Sequence, residues 1–289
     1  MASESSLIRK INYAIDKKNK LTIILNDWKN KVWVNAPAIG NAGFIWEYND
    51  TIYWSREHNH RYLDGNEWKT KTWNIDYIDG SCIWYYKGNV YLSQINLDTN
   101  ILENYKLING VWEQVTWRYN NVNPEYILGY NMWYDLDGKV YAIYQDNYYL
   151  DENDDTWKVK DWGEYSNNLT SSLNIWDDGK NIYYSRGQYQ FILVNGEFIP
   201  KTWINQPTNN DGNYIWKDEN NNVYSSNYSY QYYLDGDTWR QKIWKTMSNF
   251  VGYQIWHYNH NCYLQNSYEL KDLKTWDSII EQVEIDINS

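Results

Sequence analysis

The sequence predicts an all-β fold built from one short unit repeated along the chain, and three observations carry that prediction. A dipeptide of isoleucine or methionine followed by tryptophan recurs, and successive tryptophans of this dipeptide lie 38, 49, 43, 40 and 40 residues apart. A pair of tryptophans five residues apart also recurs. Asn-Gly or Asp-Gly turns separate short stretches of alternating apolar residues, as is typical of β-hairpins.

Each unit is predicted to contain four antiparallel strands, which we call a, b, c and d in chain order. Strand a carries the dipeptide, and a turn containing glycine leads to strand b with its Val/Ile-Tyr-x-Ser pattern, as at Tyr91–Ser93. Strand c carries Tyr-Leu, and strand d carries the tryptophan pair, as at Trp68 and Trp73. A repeated four-stranded unit of about 40 residues is typical of a β-propeller blade.

The number of units follows from these landmarks. We expect a single propeller domain over residues 1–289, with units starting near residues 7, 43, 80, 129, 172, 212 and 252. Leu7–Val34 resembles strands b, c and d without a strand a, and residues 279–287 could supply that strand. Pairing the N- and C-terminal strands would close the ring and remove open sheet edges. The expectation is therefore seven blades closed in this way, and six blades with free termini are the alternative.

The repeats resemble a known motif. Gly138-Lys-Val-Tyr141 followed by Tyr149-Leu-Asp and Thr156-Trp157 is similar to the kelch motif, although serines such as Ser93 lie near the place of the kelch diglycine. Residues 181–193 and 235–244 look like kelch-like repeats of proteins encoded by tailed bacteriophages and prophages. That resemblance implies a virion component or host-attachment module, located in the virion or, during assembly, in the host cytoplasm.

Composition excludes several classes of function. The chain of 289 residues has a formal net charge of -11, which disfavours nucleic acid and anionic membrane surfaces as partners. Its longest aliphatic run, around Ile23–Leu25, is far shorter than the roughly 20 residues of a membrane span, and the N-terminus has no apolar core of a signal peptide. Cys82 and Cys262 are expected to be buried thiols.

Catalytic and metal-binding motifs are absent from the sequence. We find no nucleophile elbow, phosphate loop, dinucleotide fingerprint or zinc-protease motif, so neither catalytic residues nor a cofactor are predicted. His58/His60 and His257/His260 have spacings that could hold a metal, but their hairpins fall on opposite faces of a meander. Asp151–Asp155 lacks the glycine and glutamate of a calcium loop. No metal site is predicted.

The candidate binding residues are those that depart from the repeat. All tryptophans except Trp54 occupy repeat positions, so packing explains them, and Trp54 is the best candidate for an exposed functional aromatic. In an a-b-c-d meander the b–c and d–a connections lie on one face, and long d–a connections such as Arg118–Leu128 fall there. The predicted partner-binding residues are Trp54, His58, His60, Arg61, Tyr119, Tyr126 and Tyr165.

These observations predict a non-enzymatic interaction or attachment module that binds a protein or a surface glycan, including other virion proteins, without inserting into a membrane. Two alternatives stay open. A free-standing lectin would have equivalent sugar pockets, one per blade, lined by repeat aromatics. A glycan-active enzyme would have carboxylates converging in the central depression, with shifted pKa values.

Overall fold

The computed structural model confirms an all-β propeller with four-stranded antiparallel blades. The residues it describes are 27–37, 43–96, 99–144, 146–164, 175–186, 189–207, 214–218, 220–226, 231–242, 254–258, 261–265 and 270–274. Across these ranges the chain forms six β-sheets, of which five have four antiparallel strands and one has five strands. No helix in the described ranges is long and apolar enough to cross a membrane.

The strands follow the predicted order a, b, c, d in each unit. The chain begins with β1 (Asp27–Asn30), which belongs to the last sheet. The first sheet contains β2 (Phe44–Tyr48), β3 (Thr51–Arg56), β4 (Asn59–Asp64) and β5 (Glu67–Thr70). The second sheet contains β6 (Ile83–Tyr86), β7 (Asn89–Asn96), β8 (Ile101–Ile108) and β9 (Val111–Gln114). The third sheet contains β10 (Arg118–Asn120), β11 (Met132–Tyr134), β12 (Val140–Ile143), β13 (Asn147–Asp151) and β14 (Thr156–Val159).

The remaining strands form the fourth and fifth sheets and most of the last. They are β15 (Ile175–Asp177), β16 (Ile182–Arg186), β17 (Tyr189–Val194), β18 (Glu197–Pro200), β19 (Tyr214–Lys217), β20 (Val223–Ser226), β21 (Gln231–Asp235), β22 (Thr238–Gln241), β23 (Gln254–Tyr258), β24 (Asn261–Gln265) and β25 (Leu270–Lys274). Each sheet is a meander whose strand a forms one edge.

The last sheet corrects the predicted blade count. Strand β1 pairs antiparallel with β25, so the N-terminal segment supplies strand d to a sheet whose other three strands come from the C-terminal part. We call it the composite sheet. The tryptophan pair that begins at Trp28 therefore completes this unit and does not belong to a blade of its own. Without β1 the outer edge of β25 would lack a partner.

The predictions of seven blades and of six blades with free termini are both wrong. The described residues give five four-stranded antiparallel blades, the composite sheet among them, and one five-stranded sheet. The fifth strand is β10, which leaves the second sheet and runs parallel to β14, so a segment expected to be a free d–a connection lies in the third sheet. The predicted closing strand, residues 279–287, and residues 7–26 lie outside the described residues.

One aromatic arrangement repeats between neighbouring sheets and forms most of the core. Trp84 of strand a stacks on Tyr91 of strand b with ring centroids 4.9 Å apart, and lies 5.4 Å from Trp117. Its ring also contacts Trp157 on strand d of the next sheet, 6.1 Å away. The same contact to the next strand d recurs in three other sheets, at Trp46–Trp112, Trp133–Phe198 and Trp176–Trp239. The repeated tryptophans are therefore inter-blade packing residues, as their spacing predicts.

Candidate functional site

The b–c turn and the d–a connection of the first sheet enclose a cavity. Its volume is about 170 Å³, and its lining includes His58, His60, Arg61 and Asp76. His58 lies in the turn after β3, His60 and Arg61 lie on β4, and Asp76 follows β5. Three predicted site residues thus meet where the meander brings the b–c and d–a connections together. We call residues 56–61 and 70–79 the cavity face.

The d–a connection of the cavity face is held at two points by the second sheet. The Asn74 side chain donates to the Trp112 carbonyl oxygen and accepts from the Trp112 backbone nitrogen, each at 2.8 Å. The Gln94 amide donates to the carbonyl oxygen of Tyr77 at 3.0 Å and accepts from the backbone nitrogen of Asp79 at 2.9 Å. Because both partners belong to the second sheet, the wall of the cavity is fixed by the neighbouring sheet.

His58 and Arg61 already have partners at the rim of the cavity. The exposed His58 places its Nδ1 3.1 Å from an Asp76 carboxylate oxygen, and its ring meets the edge of Tyr77 at 5.6 Å between centroids. The Arg61 guanidinium donates to the Asn35 carbonyl oxygen at 2.5 Å. These contacts fix the direction of both side chains.

His60 is the buried member of the set. It is 6% exposed, and neither ring nitrogen makes a hydrogen bond of good geometry to another described residue, the Asp76 backbone being a weak partner only. Burial lowers the pKa of His60 below its ordinary value, and the nearby charge of His58 acts in the same direction, whereas the backbone and carboxylate of Asp76 act in the opposite one. The imidazole is therefore neutral near pH 7, with one nitrogen able to donate and the other able to accept.

The other predicted site residues lie elsewhere. Trp54 is 6% exposed and packs between the first sheet and the composite sheet, where a β-carbon at Gly43 would lie 2.2 Å from its ring. Its ring surface is therefore covered by protein. Tyr119 lies on β10 and packs against the cluster that contains Trp84. Tyr126 ends a 3₁₀ turn, Pro124–Tyr126, and Tyr165 lies outside the described residues.

Sequence reasoning missed the second wall of the cavity. Thr70, Lys71, Thr72, Trp73 and Asp76 line it, and all belong to the end of strand d and the connection that follows. Lys71 and Trp73 are repeat residues, since lysines sit over the second tryptophan in other units too, as at Lys160 and Trp162. Asp76 lies beyond the repeat motif, and its closeness in sequence to the tryptophan pair was the available signal.

Strand a of each sheet is the innermost strand, and the strands a of neighbouring sheets contact one another at the centre of the propeller. The Tyr134 hydroxyl accepts from the Tyr85 backbone nitrogen at 2.7 Å. The Tyr85 hydroxyl in turn donates to the Glu47 carbonyl oxygen at 3.0 Å. Lys217 binds both carboxylate oxygens of Asp177 at 2.8 and 2.9 Å. In the described ranges, no group of three or more histidine, cysteine or acidic side chains could hold a metal ion.

The comparisons with known proteins identify the fold. No family model and no curated protein matches this chain. A structure described as that of YjhT has 10% identity and a TM-score of 0.56, and the match covers 84% of this chain and 95% of that one. The extracellular domain of the putative hybrid two component system BT4673 from B. thetaiotaomicron has 11% identity and a TM-score of 0.53 over 86% of this chain. This chain spans 39% of the length of that extracellular-domain chain.

A streptogramin B lyase structure has 10% identity and a TM-score of 0.47, with 87% of this chain and 99% of that chain covered. At these identities the two matches with TM-scores of 0.56 and 0.53 establish the β-propeller fold alone.

Proposed function

We propose that this chain is a non-enzymatic binding module that engages its partner through the cavity face. The observation that carries the proposal is the convergence of His58, His60 and Arg61 on one cavity, with walls fixed by the neighbouring sheet. Binding residues on connections held by a rigid scaffold are the usual arrangement in proteins of this kind. The cavity face has this arrangement, because its binding residues lie at the b–c turn and on a d–a connection that the second sheet holds in place.

The centre of the propeller supports a non-enzymatic function. A glycan-active enzyme would need two carboxyl groups converging there, about 5–10 Å apart. The Asp177 carboxylate is instead held by Lys217, and the Tyr85 side chain is engaged by the backbone of Glu47. These contacts join neighbouring innermost strands and are explained by their structural role.

The repeat aromatics do not favour one sugar pocket per blade. Trp84 is 1% exposed, Trp46 is 5% exposed and Trp133 is 5% exposed, because each ring is packed between two sheets. Pockets lined by these repeat aromatics would have to offer the sugar an accessible ring face, and these rings have none. Their burial supports a single specialised site over a set of equivalent ones.

We place this module, on the resemblance of its repeats to phage-encoded ones, in a tailed-phage virion, where its partner is a host surface glycan or another virion protein. The chain's net charge of -11 fits a partner other than nucleic acid and a module that does not insert into membranes. Mass spectrometry of purified particles tests this location. Absence of the chain from particles would contradict the virion location and leave the binding function to its own test.

The binding function is tested with two matched tryptophan substitutions on exposed turns. Asn59→Trp places a bulky ring at the mouth of the cavity, whereas Lys180→Trp places the same ring on an a–b turn of the opposite face. The full chain and both variants are applied to bacteria with and without their surface polysaccharide, and to an array of bacterial surface glycans. We expect Asn59→Trp to lose binding at least tenfold and Lys180→Trp to retain it. Equal loss in both variants, no binding by the parent chain, or release of a cleaved glycan would overturn the proposal.

A further inference from the structure

A buried relay of hydrogen bonds links strands a, b and c in the second sheet. The Trp84 indole nitrogen donates to the Ser93 hydroxyl at 3.0 Å, and that hydroxyl donates to the Asn104 amide oxygen at 2.7 Å. In the fourth sheet the same relay runs from Trp176 to Ser185 at 2.8 Å and on to the Gln190 amide oxygen. The last position of the relay is an amide in both sheets.

The first sheet departs from this pattern at its last position. The Trp46 indole donates to the Ser55 hydroxyl at 3.0 Å, as the relay requires. The residue paired with Ser55 across strands b and c is His60, just as Asn104 pairs with Ser93. An imidazole therefore replaces the amide, and neither of its nitrogens has a hydrogen bond of good geometry within the described residues, the Asp76 backbone being a weak partner only. Other buried groups of the chain also lack partners, but the His60 ring lines a cavity, so a group that enters from outside can satisfy its nitrogens.

The cavity is located where that partner would bind. His60 is 94% buried and lines a space of about 170 Å³ that opens at the cavity face. Drug-sized ligands occupy sites of roughly 300–1,000 Å³, so this space admits one small ring or side chain and no extended ligand. Thr70, Thr72 and Asn59 add hydroxyl and amide groups to its walls.

The chemistry of the lining selects a neutral, hydroxyl-rich group. A neutral imidazole offers one donor and one acceptor, and a hydroxyl group can match both. The cations of the lining are engaged elsewhere: Arg61 binds the Asn35 carbonyl oxygen, and Lys71 lies 4.3 Å from the centre of the Trp73 ring. The Asp76 carboxylate at the mouth adds negative charge, which disfavours an acidic ligand.

We infer that the His60 cavity binds a single neutral monosaccharide residue at the end of a glycan chain, with one site in each protein chain. The inference rests on the proposed binding function and names the chemical class of its ligand. It differs from a lectin with one pocket per blade, because the site exists where the first sheet departs from the repeat. His60 is its central hydrogen-bonding group.

The experiment titrates the full chain with free neutral hexoses and N-acetylhexosamines, followed by saturation-transfer NMR and calorimetry. His60→Asn restores the amide of the other relays and removes the imidazole, so we expect a folded protein with at least tenfold weaker sugar binding. Lys180→Asn is the matched control, because it introduces the same side chain at an exposed position on the opposite face, and we expect its affinity to stay within twofold. The expected stoichiometry is one sugar per chain.

Several results would overturn this inference and leave the proposed function standing. One such result is a parent chain that binds no neutral sugar but still binds its partner, with Asn59→Trp blocking that partner binding. Others are binding of acidic sugars alone, unchanged affinity in His60→Asn, or several equivalent sites per chain. If neither glycans nor bacteria bind the parent chain, the proposed function fails as well. The two failures are therefore distinguishable.

Discussion

Replacement of Ser93 by alanine tests the relay that holds each blade together. Ser93 is fully buried, and its hydroxyl is bonded both to the Trp84 indole and to the Asn104 amide oxygen. Alanine removes both bonds and leaves two buried polar groups without partners. Each unsatisfied buried group costs about 1–3 kcal/mol, so we expect the free energy of unfolding to fall by roughly 2–5 kcal/mol. A domain is stable by only about 5–15 kcal/mol, so the loss would be easily measured.

The assay is urea unfolding followed by tryptophan fluorescence and far-ultraviolet circular dichroism. A second background, Trp84→Phe, has no indole N–H to satisfy, so the cost of Ser93→Ala should be smaller there by about 1–3 kcal/mol. Thr202→Ala, at an exposed position, should change the unfolding free energy by no more than about 0.5 kcal/mol. A cost for Ser93→Ala below about 0.5 kcal/mol, or an equal cost in both backgrounds, would refute the reasoning.

Three further predictions concern other parts of the fold. Gly129→Ala should abolish soluble expression, because its β-carbon would lie 1.8 Å from the Cys82 carbonyl oxygen. Gly110→Ala adds a β-carbon in open space at φ +80°, so the free energy of unfolding in urea should fall by about 1–2 kcal/mol. Deletion of residues 1–34 should cause aggregation in size-exclusion chromatography, because β25 loses its partner; a stable monomer would contradict the composite sheet. Burial lowers the pKa of His60, so the stability attributable to its neutral form is fully present above pH 6.5 and is lost as the pH falls below that value. Urea unfolding at pH 7.5 and at pH 5 should show that His60→Asn gains stability relative to the parent chain at the lower pH. A pH-independent difference between the two chains would contradict the shift.

The local structure could be predicted from the sequence because each landmark encodes a local constraint. Asn109 and Gly110 both have positive φ angles, as a tight two-residue hairpin turn demands. The alternation around Ile83-Trp84 places the indole in the core and the isoleucine on the other side. Such constraints involve neighbours in sequence or across one hairpin. Strand order within the units followed from them.

The blade count could not be predicted in the same way. The Trp28 and Trp33 pair carries the signature of strand d, but nothing local says which strand c it joins. Pairing of β1 with β25 is a contact between distant parts of the chain. The last unit lacks a tryptophan pair, since Trp276 stands alone, but that absence does not say which segment supplies its strand d.

The candidate site was predicted in part, for a related reason. His58, His60 and Arg61 are close in sequence and converge on one cavity. Trp54 also departs from the repeat, but its ring fills the space left by Gly43, a fact that only the approach of two segments reveals. The sequence places the serines of strand b near the position of the kelch diglycine, whereas their role as acceptors for the tryptophan indoles depends on cross-strand geometry.

The composite sheet has a consequence for the order of events during synthesis. Strand β1 leaves the ribosome early, while β25 follows almost at the end of the described chain. At about 5–20 residues per second, β1 must wait on the order of 10–50 s for its partner. The other sheets are built from strands close in sequence and can form as they emerge, so joining β1 to β25 is the final step of assembly. Separation of β1 from β25 is also the way in which the mature ring can open without breaking any other sheet. The rate of that separation therefore sets how fast the closed ring converts to an open row of blades.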